Sequence, residues 1–212
     1  MKVASIPEGR DPHKDAADVA WAGLLKKDLA GLAADSGGIL RPGSKQIVLR
    51  VLDKDCIIDL EERTISYVRN DQGPVRGDLR ILIQHYLEGS GNAQLANKLV
   101  TFREFVGGAQ YYSAFRTRTI DFLARAFGQK IEVLRQIGDA IRAEPMHMGD
   151  VSFKTYFFPK MPVVVVIWLG DEEVPTSAKV LFDANAGKIL PTEDLSVVGA
   201  TLCRWLSKLE KG

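Results

Sequence analysis

Between positions 16 and 34 the apolar residues Trp21, Leu24, Leu25, Leu29 and Leu32 recur at intervals of three and four, which lines one face of a helix. Gly37 and Gly38 predict where that helix stops. The period then changes. Gln46–Leu52, Cys56–Leu60 and Thr64–Val68 are short β-rich runs separated by Asp53-Lys54-Asp55 and Glu61-Glu62-Arg63. Connections that short leave no room for a crossover, so the three runs predict an antiparallel meander.

Helical spacing returns at Leu79, Leu82, Ile83, Tyr86 and Leu87 and breaks at Gly89-Ser90-Gly91. Leu99–Phe105 reads as a short strand or an extended approach. Gly107-Gly108 opens a long helix with Tyr112, Phe115, Thr119, Phe122, Leu123 and Phe127 on one side, interrupted by Gly128. Ile131, Leu134, Ile137 and Ile141 give a further helix that ends before Pro145, because the residue preceding proline disfavours helical geometry. Ser152–Phe158 alternates as a strand, and Met161–Leu169, rich in Val and Ile, reads as a central strand reached by a link too short for parallel pairing. A third strand, Ala178–Phe182, precedes a last helix that Thr192 can cap, carrying Leu195, Val198, Leu202, Trp205, Leu206 and Leu209. The pattern predicts a single α+β domain, antiparallel sheet or sheets packed with about five helices, with residues 1–14 a loosely ordered segment. The two antiparallel stretches either join into one sheet or pack separately.

The charge balance narrows the function classes. With 28 Lys plus Arg against 27 Asp plus Glu, no basic excess marks a nucleic acid or an anionic membrane as partner. The longest apolar run falls well short of the roughly 20 residues that a spanning helix needs, and positions 1–14 lack the apolar core of a signal peptide. A cytoplasmic protein is expected. Cys56 and Cys203, one in a strand and one in a helix, are expected to be buried reduced thiols.

Three constellations offer chemistry. Gly170-Asp171-Glu172-Glu173 follows the most apolar strand; its carboxylates suit a hard cation or a general base, or else a solvated loop that keeps a sheet end soluble. His147 stands between two methionines in a loop, where it suits a soft metal or a tetrapyrrole iron or cobalt, although such a loop is more often a packing segment. Gly107-Gly108-Ala109-Gln110-Tyr111-Tyr112 offers helix-start N–H groups and aromatic rings, with Arg103, Arg116 and Arg118 near in sequence to help bind an acidic group. There is no dinucleotide fingerprint, Walker-type loop, nucleophile elbow or zinc-ligand pair.

The second half resembles a bacterial and archaeal family known as domain of unknown function 3786. The resemblance is carried by Phe157-Phe158-Pro159-Lys160-Met161-Pro162, Trp168 to Pro175, Val180-Leu181-Phe182-Asp183 and Leu190 to Leu195, and more weakly by Phe102-Arg103-Glu104-Phe105 with Gly107-Gly108. The resemblance implies an anaerobic setting in one-carbon or corrinoid metabolism, since some relatives resemble fusions with an iron–sulfur domain. This chain lacks a cysteine cluster and holds no iron–sulfur centre itself; one would belong to an iron–sulfur or corrinoid protein partner.

The first expectation is therefore a ligand-binding or accessory module for a small molecule, with a corrinoid as the most specific candidate. Its expected pocket lies between Gly107–Arg116 and the Gly170–Glu173 loop, using Arg103, Gly108, Gln110, Tyr112, Arg116, Asp171, Glu172 and Asp183. The second is a metal-assisted enzyme using Asp171, Glu172 and Asp183, with a divalent metal and His147 as a further ligand. The third is a homodimer closed by a surface patch around Phe158 and Met161.

Overall fold

The computed structural model describes residues 20–211 except 93; the expected loose segment 1–14 and His13 lie outside them. A helical stretch over 20–24 gives way at Leu25–Asp28 to helix α1 (Leu29–Ser36), so the single helix expected there is broken. Asp28 causes the restart. Its carboxylate accepts the Gly31 N–H at 2.7 Å, satisfying one of the donors that a helix start leaves open.

The meander forms a sheet in the order β1 (Ile39–Leu40), β2 (Gln46–Val51), β3 (Lys54–Asp59), β4 (Thr64–Tyr67), all antiparallel. Its pleat buries Ile47, Leu49, Val51, Cys56, Ile58 and Ile65 and turns the residues between them outward. The second sheet runs β5 (Leu99–Thr101), β9 (Ser177–Asp183), β8 (Met161–Trp168), β7 (Val151–Phe158), β6 (Glu144–Pro145), also antiparallel throughout. Strand β8 lies at its centre, with Val163 to Ile167 fully inaccessible, as an unbroken β-branched run requires. The two stretches thus form two sheets. They meet where the Leu52 N–H, in the β2–β3 turn, donates to the Phe157 carbonyl at 3.0 Å.

Helix α2 (Gly77–Gly89) buries Leu79, Leu82, Ile83, Tyr86 and Leu87, the face that its spacing predicts. Tyr86 stacks on Phe158 with ring centres 4.1 Å apart, and its hydroxyl donates to the Ser36 carbonyl at 2.8 Å while accepting the Lys160 N–H at 3.0 Å. The long helix expected from Gly107 is two: α3 (Gly108–Arg118) and α4 (Ile120–Phe127), broken at Thr119. The buried Thr119 hydroxyl donates back to the Phe115 carbonyl at 2.6 Å, a local bond that competes with helix continuation.

Helix α5 (Ile131–Ala140) lies against β7, and a short α6 (Ala186–Ile189) leads into α7 (Thr192–Leu209). Pro191 occupies the cap position of α7; the Thr192 hydroxyl, expected to cap it, donates instead to the Val106 carbonyl at 2.7 Å. Helix α7 buries Leu195, Val198, Leu202 and Leu206 and packs on α3, where a Cβ on Gly199 would stand 2.8 Å from the Phe115 ring. Phe158 and Met161 are buried, so the surface patch expected around them is part of the core. Both cysteines are buried free thiols. Among the described residues no helix is long and apolar enough to cross a membrane.

Candidate functional site

The residues expected to share one pocket are distributed along the second sheet. Asp183 ends β9, and the Gly170–Glu173 loop precedes the other end of that strand; seven residues separate the ends by roughly 20 Å. Asp183 is 3% exposed and engaged by three backbone donors: Oδ1 accepts the Ala96 and Asn185 N–H groups, each at 2.9 Å, and Oδ2 accepts that of Asn97 at 2.8 Å. It pins the approach to β5 against the end of β9. Asp171 is exposed, and its Oδ1 accepts the Glu173 and Val174 N–H groups at 2.9 and 2.8 Å. Those bonds hold its carboxyl below the usual range and close the acidic segment into a turn. Glu172 points from the same exposed turn.

Helix α3 starts at the opposite end. A Cβ at Gly108 would collide with the Phe102 carbonyl oxygen, so this glycine is set by the close approach of the 102–104 turn. The Arg103 guanidinium lies 4.7 Å over the Tyr112 ring, and Arg116 pairs with Asp121 at 3.1 Å. The arrangement therefore joins Arg103 to Tyr112 but leaves Arg116 and Tyr112 on a helix whose start is remote from Asp171 and Glu172. The acidic loop packs instead beyond the end of α4, where a Cβ on Gly128 would stand 2.9 Å from Thr176. His147 is exposed in the loop before β7. Among the described residues no three His, Cys, Asp or Glu side chains converge to hold a metal ion.

Gln110 lines a wide depression of about 600 Å³ with Gly107, Tyr111, Lys188 and Glu193. Two of its polar side chains pair with each other: the Tyr111 hydroxyl donates to Glu193 at 2.6 Å, which raises the phenol's pKa and lowers that of the carboxyl.

A different groove has open groups. It lies where the β2–β3 turn, α5 and α7 meet, and Trp205 forms a wall common to its two clefts. The larger, of about 710 Å³, runs between Leu52, Gln136, Ile137, Ala140 and Leu209. The smaller, of about 120 Å³, is lined by Val51, Tyr67, Leu79, Arg204 and Lys208 among others. The indole Nε1–H of Trp205 is buried without an acceptor. An interior donor left so costs about 1–3 kcal/mol.

Two left-handed residues border the larger cleft. Leu52, first of the two residues in the β2–β3 turn, has φ 53°, and Arg142 has φ 54°. After α5 the Arg142 N–H donates to the Asp139 carbonyl and the Ala143 N–H to the Gly138 carbonyl, at 3.0 and 2.9 Å, the bond pair of a Schellman end. That end places its left-handed residue where glycine is favoured. The chain has arginine there.

None of the sequence patterns marks this groove as a site. Trp205 reads there as one more apolar residue on the face of α7, and Leu52 and Arg142 come from separate elements. The available signal is that no glycine stands at the helix end before Pro145.

Residues 28–205 match the family model described as "Domain of unknown function (DUF3786)", which covers all the strands and most of the helices. No curated protein and no solved structure matches the chain.

Proposed function

We propose, from the premise that the chain belongs to the DUF3786 family, that it is a ligand-binding or accessory module whose site is the groove over Trp205. The observation that carries this reading is the cleft of about 710 Å³ walled by Trp205 and bordered by two left-handed residues, Leu52 and Arg142. That volume lies within the range of cofactor and metabolite pockets. The indole of Trp205 and, in the smaller cleft, Tyr67 supply flat apolar surface for a ring. Asp171, Glu172 and Asp183 support a metal-assisted reaction less well, because two of them stand at one end of β9 and the third, at the other, is bound to three backbone N–H groups.

The corrinoid setting implied by the family resemblance names the first ligand to test, with an iron–sulfur or corrinoid protein as the partner that would receive or deliver it. The test is calorimetric titration of the protein with hydroxocobalamin and with a panel of flat organic cofactors. Saturable binding at one molecule per chain, lost when Gln136→Trp fills the larger cleft, supports the reading. Binding that Gln136→Trp leaves intact, or no binding by any member of the panel, overturns it.

A further inference from the structure

We infer that the groove over Trp205 takes planar organic anions, with Arg142 at its edge binding the acid group; this rests on the reading of the groove as the ligand site. Six cations line the two clefts, Arg50, Lys54, Arg76, Arg142, Arg204 and Lys208, against three carboxylates, Asp53, Asp78 and Glu210. Two of those carboxylates are engaged. Asp78 holds Arg76 at 3.0 Å and Arg204 at 3.4 Å, and Glu210 holds Lys130 at 2.5 Å. Lys54, Arg142 and Lys208 have no carboxylate partner among the described residues, and Asp53 is the one lining carboxylate without a cation within salt-bridge distance. The groove therefore presents an excess of open positive charge beside an aromatic wall.

Of the two left-handed residues at the groove, Leu52 packs against the core, whereas the fold does not explain the identity of Arg142. Its backbone is left-handed at a helix end that glycine fits without steric cost, and its side chain is exposed. Strain of this kind persists at functional positions where the side chain serves something other than folding. A guanidinium offers paired donors in the plane of a carboxylate, sulfonate or phosphate. An aromatic ring carrying such a group would lie along Trp205 and reach Arg142 with its acid end.

The test uses two fluorescent probes of similar ring size. 8-Anilinonaphthalene-1-sulfonate is anionic, and N-phenyl-1-naphthylamine is its uncharged counterpart. The parent protein is expected to bind both, the sulfonate more tightly. Arg142→Gly should melt about 2–4 °C higher, because the left-handed strain is relieved, while its affinity for the sulfonate falls about tenfold and that for the amine is unchanged. Arg142→Gln, which keeps the side chain's bulk and removes the charge, should show the same loss without the gain in melting temperature. Gln136→Trp should abolish binding of both probes. If both arginine variants bind the sulfonate as the parent does, the anion role of Arg142 is overturned while the groove stands. Failure of the parent to bind either probe, or binding that survives Gln136→Trp, overturns the groove itself.

Discussion

Replacing Asp183 separates a structural carboxylate from a ligand-binding one. In Asp183→Ala, the Ala96, Asn97 and Asn185 N–H groups lose an ionised acceptor together, in a region where the aspartate itself is 3% exposed. A hydrogen bond to a charged group contributes about 1.5–3 kcal/mol net. The three are not additive, since the freed donors near the surface regain water, so a loss of about 3–5 kcal/mol is expected. For a chain of this size that lowers the melting temperature by roughly 6–20 °C. Asp183→Asn should cost less, about 2 kcal/mol: its carbonyl oxygen can still take the two bonds made by Oδ1, while its amide faces the Asn97 N–H. Urea unfolding followed by far-ultraviolet circular dichroism measures both, and the slope of free energy against urea should match that of the parent. Asp183→Ala with the parent's midpoint would refute the assignment and return Asp183 to the candidates for ligand binding.

Three further outcomes are expected. His85 Nδ1 lies 2.6 Å from Asp194, and this bond raises the histidine pKa above 6.5. Its contribution, about 1 kcal/mol for a partly exposed pair, is fully present below the unfolded-state pKa and lost as pH rises through the folded one; the decline in melting temperature across neutral pH should vanish in His85→Gln, and its persistence would place the titration elsewhere. Removing the Tyr86 hydroxyl with Tyr86→Phe leaves the buried Ser36 carbonyl and the Lys160 N–H without their partner, so a loss of about 1–3 kcal/mol is expected, and an unchanged urea midpoint would contradict that. Burial pushes the thiols of Cys56 and Cys203 up to about 12, so neither should react with a disulfide reagent at neutral pH until urea unfolds the chain; modification at native urea concentrations would mean that one of them opens locally.

What was legible in the sequence follows from periodicity. The buried face of α2, the central position of β8 and the antiparallel meander were readable, because each pattern is set by contacts within one element or between neighbours in the chain. The break at Thr119 was not. It depends on a hydroxyl turning back to Phe115 in a buried corner, which has the same local spacing as a continuous helix. The dispersal of the expected site residues has a related reason. Gly107-Gly108 and Gly170 to Glu173 each look like a functional loop, but their separation is decided by the length and direction of β9. Asp183 looked like a ligand residue because a carboxylate next to a strand end is ambiguous until its three backbone donors are known. The groove is assembled from positions 50–54, 136–142 and 201–210, so no single stretch of chain could have displayed it.

The most direct measurement of the central claim is a titration of ¹⁵N-labelled protein with 8-anilinonaphthalene-1-sulfonate, followed through the indole N–H resonances of Trp21, Trp168 and Trp205. Each indole reports from a different place: Trp21 in the segment before α1, Trp168 at the end of β8 and Trp205 in the groove wall. The expected result is a saturable shift of the Trp205 resonance alone, as the ring of the probe comes to lie against its indole. A Trp205 resonance that stays in place while the sulfonate binds would contradict the account.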